Sequence, residues 1–395
     1  MSLPKSFITK ISKERNFLVG ALTAIVFYGF SEQLLGAQAS IPVLILSFVW
    51  IFGAMLYGAF GVVRHAECLA VRLGEPYGTL ILTLSVIGIE VSLIISIMLT
   101  GNANPTLARD TMLAVLNIVL NGLVGLSLLL GGLRHGEQPF NTQGARAYLA
   151  VLIPLATFSL ILPVYTTSTS DPSLSPVQQV IFAVIIILLY AVFLAIQSKR
   201  HRSFFQQPLS DTPGIALPFL LEDSLNNESP HTAVSTHDEH GDLEVHSTSF
   251  HAVFLLLTML PIVLLSKKLA VLVDLGIAQL SLPLALGGVL VALLVLTPEG
   301  LSSLKAALNN KVQRSINICL GSALATIGLT VPTVLLISDY LGMHIILGLK
   351  PTDMVLLILT MALSLNTFSG TRTNMLQGAV HLVLFIVYFV LIFQP

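Results

Sequence analysis

Two acids in this sequence stand where an acid is costly. Glu90 lies in GIEVSLIISIML and Glu299 in LTPEGLSSLKAAL, each within an apolar stretch long enough to cross a bilayer. A carboxylate at the centre of a membrane helix costs about 2.5–3.5 kcal/mol on insertion scales. No Lys, Arg or His lies near the middle of either stretch to offset that charge. Two such carboxylates, with a few amide and hydroxyl oxygens, make a hard-oxygen site for a cation. A proton can neutralise each of them just as well. With one divalent cation the pair is neutral, and with two protons it is neutral again. With neither, it holds two negative charges in a low dielectric. That arithmetic predicts obligatory exchange of a cation for protons.

Other oxygens lie within reach. Asn117 and Asn121 are four residues apart, on one face of the stretch after Glu90. Asparagine inside a bilayer needs partners, so that face points into the protein. Ser322 and Thr326 hold similar places in the stretch after Glu299. We take Glu90, Glu299, Asn117 and Ser322 as the cation- and proton-binding set. The expected outer set is Thr83, Asn121, Thr297, Pro298, Ser302, Ser303 and Thr326. Ser302 and Ser303 follow Glu299 by three and four residues, on its face of a helix. Pro298 cannot donate a backbone hydrogen bond, so an interrupted helix is expected there, with a carbonyl released toward the site.

The elements that must position these residues follow from composition. The chain has 395 residues, of which 54% are hydrophobic and 10% charged, and its mean hydropathy is +0.88. A soluble domain carries about 25% charged residues, so a polytopic all-α membrane protein is indicated. Nucleic-acid binders and soluble enzymes are excluded, and the net charge of −1 offers nothing to a polyanion. Cys68 and Cys319 both lie in or beside apolar segments, so no disulfide is expected.

Eleven spans are predicted, at about 17–36, 41–63, 78–99, 111–131, 147–165, 177–196, 250–266, 279–308, 313–338, 352–369 and 373–393. With the N-terminus in the cytoplasm, all Lys and Arg fall inside except Arg109, Lys267, Lys268 and Lys350, which follows the positive-inside rule. The C-terminus is then external. A polar break at 198–249 separates six spans from five. Setting aside the first helix (with the tail, residues 1–36) leaves 37–197 and 250–395, each with five spans. An odd number inverts the second half, giving 5+5 inverted-topology repeats with a site at mid-membrane. The acids occupy the second span of each half. A basic residue opens the next span in both, Arg109 and Arg314.

An extra helix, an inverted 5+5 bundle and one acid per repeat resemble the calcium/cation antiporter superfamily, in its cation/proton exchanger branch. GEPYGTLILTLSVIGIEVSLI and LTPEGLSSLKAALNNKVQRSINICLGSALATIGLTVP are similar to the two signature repeats of bacterial Cha-type antiporters. The resemblance implies export of cytoplasmic Ca²⁺ for H⁺ across the inner membrane, with Na⁺ or K⁺ as alternative cargo. It matches Glu90 and Glu299 to the family's ion-binding acids, and Gly321-Ser322 to its Gly-Ser element. The family's Gly-Asn-x-x-Glu pattern is altered: Val86-Ile87-Gly88-Ile89 precedes Glu90, and Val295-Leu296-Thr297-Pro298 precedes Glu299. One amide oxygen per repeat is therefore missing. No cofactor is expected beyond transported cations and protons. A channel or a membrane-embedded enzyme are the alternatives from other classes. HExxH, GxSxG and a phosphate-binding loop do not occur.

The polar break carries HDEHGDLEVH. Family members often have an acidic segment here, so His237, Asp238, Glu239, His240, Asp242 and Glu244 are expected to regulate transport by sensing cations. The composition equally suits a solvated linker.

Overall fold

The computed structural model describes residues 14–36, 39–73, 77–100, 104–200, 202–208 and 247–394. The six candidate regulatory residues of the polar break lie outside the described residues.

Apolar helical rods among the described residues fall on the predicted spans. They are α1 (Arg15–Gly29), α2 (Ile41–Leu73), α3 (Tyr77–Thr100), α4 (Leu107–His135), α5 (Thr142–Tyr165), α6 (Pro176–Ser198), α7 (Thr248–Leu280), α8 (Ala285–Leu308), α9 (Val312–Leu341), α10 (Pro351–Thr367) and α11 (Met375–Phe393). Among the described residues, eight are long and apolar enough to cross a membrane. The apolar parts of α1, α3 and α10 are shorter. This is an all-α polytopic membrane fold.

The halves match in detail. α2 and α7 are both 33 residues long, and α3 and α8 are both 24. α6 and α11 each start with a capping box, Ser175 with Gln178 and Asn374 with Gln377. Each box satisfies orphan N–H groups at the helix start, where the bilayer offers none. The packing is reciprocal as well. α2 lies along α7, α3 packs on α7 as α8 packs on α2, and α6 packs on α9 as α11 packs on α4. The halves are therefore interlocked rather than placed side by side.

α4 and α9 are the interior helices, and glycines allow the closest approach to α4. A Cβ at Gly288 of α8 would lie 2.5 Å from the Thr111 nitrogen. One at Gly378 of α11 would lie 2.5 Å from the Leu129 nitrogen. Both α4 and α9 widen into a π-helical turn, at Asn117–Leu123 and Thr326–Thr330. Such turns are frequent at functional sites.

Three expectations need correction. α8 runs unbroken through Pro298. The Thr297 hydroxyl donates to the Leu293 carbonyl and Ser302 to the Pro298 carbonyl, so hydroxyls support the helix on either side of the proline. Lys267 and Lys268 lie within α7 rather than in a loop. Lys268 donates to Ser31 Oγ at 2.8 Å and sits 4.4 Å over the Tyr28 ring, and the helix ends only at Ser281, with φ 53°. A long amphipathic side chain with partners does not end a helix. Arg109 is not in a loop either. It lies in the buried first turn of α4, bonded to Asp110 at 2.9 Å and to the Gly348 carbonyl at 3.3 Å.

Candidate functional site

Glu90 is at the middle of α3 and wholly buried. Its Oε2 accepts hydrogen bonds from Thr326 at 3.1 Å and Thr330 at 3.0 Å, both on α9. Its Oε1 is buried and has no hydrogen-bond partner. Glu299, on α8, accepts a hydrogen bond from Ser322, also on α9. Ser322, Thr326 and Thr330 recur every four residues, so one stripe of hydroxyls on α9 serves both acids. Neither acid has an ion-pair partner among the described residues.

The acids differ in access. A cavity of about 270 Å³ is lined by Glu299, Ser322 and Thr326, and Glu90 is not part of its wall. Thr83, Pro298 and Ser302 also line it, together with Tyr148 and Tyr190. It extends to Glu67, Gln197, Arg314 and Asn317, which lie toward the ends of α2, α6 and α9 on the face that carries Arg72 and Lys305. The opposite face is closed by residues 343–350, joining α9 to α10. Ile346 N–H donates to the Pro105 carbonyl, Gly348 to Pro172 and Leu349 to Leu160, at 2.9–3.0 Å. Ile345, Leu347 and Leu349 are buried beneath this strap. His344 ties it to Asp171. A hydrogen bond from Ser173, helped by His344, holds the Asp171 carboxyl below its usual range.

The structure brings together Glu90, Glu299, Ser322 and Thr326, and adds Thr330. The fourfold spacing in SALATIGLT was the signal for Thr330, which the sequence reading missed. Asn117 and Asn121 are not bonded to either acid. Asn121 donates to Asn117 Oδ1 at 3.0 Å and to Thr360 at 2.8 Å, and its own Oδ1 is 3.2 Å from His381 Nδ1. Asn117 donates to the Leu113 carbonyl. Asn121, within the π-helical turn, thus reaches α10 and α11, a direction that residue spacing alone does not give. Ser303 points away from Glu299, into a cluster with Ser127, Ser315 and Cys319. Thr297 and Ser302 bond their own helix, as described above.

Thr330→Val keeps the side-chain shape and removes one of the two donors to Glu90. A hydrogen bond to a charged group contributes about 1.5–3 kcal/mol. The variant is expected to melt several degrees lower in detergent. An unchanged melting curve would show that the bond contributes nothing.

Comparison with known proteins agrees with this architecture. The family model described as "Sodium/calcium exchanger protein" matches residues 43–199 and 250–394, leaving out the polar break. The sodium-potassium/proton antiporter ChaA of Escherichia coli (strain K12) is 39% identical over 393 residues, covering 100% of both chains. A Ca(2+)/H(+) antiporter of Aphanothece halophytica is 24% identical, covering 67% of this chain and 68% of its own. The solved structure of native YfkE superposes with a TM-score of 0.70 at 18% identity, covering 96% of this chain and 100% of that one. The family consists of antiporters, not enzymes. An interlocked pair of five-helix units, two acids on one hydroxyl stripe, and a family match across both halves lead to one conclusion: this chain is a multi-pass membrane protein of the sodium/calcium exchanger family.

Proposed function

We propose that this protein exchanges a cation for protons by alternating access at a mid-membrane site built on Glu90 and Glu299. The observation that carries this reading is a pair of carboxylates, Glu90 buried and Glu299 half-buried, bonded only to hydroxyls, with no basic partner among the described residues. Such a pair is neutral only when loaded, and an unloaded pair resists passage through a closed, dry intermediate. The cavity supports an order of events. A cation arriving from the Arg314 face meets Glu299 first, while Thr326 stands between the cavity and Glu90. Glu90 is then the acid that holds charge or proton behind the barrier. With the N-terminus cytoplasmic, the open face is the cytoplasmic one, suiting an exporter of cytoplasmic cations.

Na⁺ or K⁺ is the favoured cargo. The relative that matches this chain end to end is a sodium-potassium/proton antiporter. The amide missing before each acid also takes one oxygen per repeat from a site for Ca²⁺, which takes six to eight. Calcium is the second reading, favoured by the charge of two carboxylates and by the Ca(2+)/H(+) antiporter relative. The test is everted vesicles with an imposed pH gradient, adding Na⁺, K⁺ or Ca²⁺ in turn. Dissipation by Na⁺ or K⁺ at lower concentration than by Ca²⁺ is expected. Dissipation by Ca²⁺ alone would reverse the order. Cation flux with no proton movement would replace the exchanger with a channel.

A further inference from the structure

A second cluster of titratable groups lies apart from the two acids, where three elements meet. His65 of α2 and His251 of α7 are both buried, and their Nδ1 atoms are 3.0 Å apart. At that distance one ring donates and the other accepts, so the contact holds one proton. The other nitrogen of His65, Nε2, is 3.3 Å from Glu14 Oε2, at the start of α1. Arg64 pairs with the same carboxylate. Arg64 Nη2, a donor only, also lies 3.3 Å from His65 Nε2, and in either tautomer of His65 the Nδ1 contact carries a single proton. Phe254 stacks on the His65 ring and Phe250 meets it edge-on, which keeps the pair dry. Among the described residues, Glu67 and Cys68 of α2 follow His65 by two and three positions.

We infer that Glu14, His65 and His251 form a proton-binding latch, separate from the transport acids, that fastens α1, α2 and α7 together and makes exchange sensitive to pH at the cavity face. One proton between the rings closes the latch. A second sets N–H against N–H and places a positive charge on one ring in a low-dielectric setting, and the contact opens. The consequence reaches the cavity because α2 is one of its walls. Val63 and Glu67, two residues to either side of His65, both line it. Acid at that face therefore releases the wall that shapes the route to Glu299. An exchanger that brings protons in would thus slow as protons accumulate on that side.

Competition at Glu90 and Glu299 also depends on pH, but saturating cation overcomes competition and does not overcome an opened latch. The transport test rests on the exchange reading and uses full-length protein in everted vesicles at saturating cation. Between about pH 8 and about pH 6, the window in which imidazoles titrate, the maximal rate of the wild type should fall by about fivefold or more. His251→Gln and His65→Gln should match the wild-type rate within about twofold at the alkaline end and lose most of the fall. A wild-type pH profile retained in both variants would overturn the latch. A second measurement needs neither transport nor variants. In ring-¹⁵N-labelled wild-type protein, an imidazole–imidazole coupling across the Nδ1 hydrogen bond should be present at alkaline pH and vanish on acidification. Absence of that coupling at every pH, or its persistence at acid pH, would also overturn it.

Discussion

Glu90→Gln and Glu299→Gln are each expected to lower exchange by more than about a hundredfold, equivalent to about 2.7 kcal/mol of barrier. Glutamine keeps the length and shape of the side chain. Its carbonyl oxygen still accepts the bonds now made by Thr326 and Thr330 to Glu90, or by Ser322 to Glu299. Helix packing is therefore preserved, and insertion and yield should match the wild type. What is lost is the ability to be charged. A site with one carboxylate has no neutral state with a divalent cation bound, and with a monovalent cation it keeps charge balance but loses the acid that shares proton and ion with its partner. The two variants should also differ. Glu299 lines the cavity, so Glu299→Gln should abolish cation protection of the site from the open face. Glu90 is enclosed, and Glu90→Gln should leave some binding there while still stopping turnover. The measurement is decay of an imposed pH gradient in vesicles with matched protein content. Flux near wild type in either variant would end the two-carboxylate mechanism.

The acids were legible in the sequence because a bilayer makes a lone carboxylate conspicuous, and the fold because twenty apolar residues in a row have few other uses. The order of the apolar helices followed from that alone. What escaped was rotation. Asn117 and Asn121 share a face, but in the π-helical turn spanning Asn117–Leu123 it is Asn121 that bonds Thr360 and meets His381, while Asn117 donates to its own helix at Leu113. One extra residue per turn shifts a helical face by a large angle, and no composition rule marks where that happens. Thr330 was passed over for a related reason. A threonine in a membrane helix usually bonds its own backbone, as Thr333 does here with the Leu329 carbonyl. Only the neighbouring helix tells the two cases apart. Pro298 was over-read because the local rule about proline omits the hydroxyls that support it.

The charge of the cargo should be readable from pH alone. Protons and the cation compete for the same oxygens, so apparent cation affinity must fall as pH falls and rise as pH rises. Linkage gives the size of the effect: each proton displaced on binding changes apparent affinity about tenfold per pH unit, over the range where the empty site is protonated. A divalent ion neutralises both carboxylates and displaces two protons, for about a hundredfold per unit. A monovalent ion neutralises one carboxylate and leaves a proton on the other, for about tenfold per unit. Because Glu90 and Glu299 are linked through one hydroxyl stripe, they should titrate as a pair rather than as two separate sites. The half-saturating concentrations of Na⁺, K⁺ and Ca²⁺ would be measured at several pH values on the cavity face. Reading half-saturation, not maximal rate, keeps the histidine latch out of the result. A slope near one for Na⁺ or K⁺ is expected from the favoured reading, and a slope near two for any Ca²⁺ transport. Half-saturation that did not move with pH for any cation would mean that protons and cargo use different ligands, and the shared site would have to be given up.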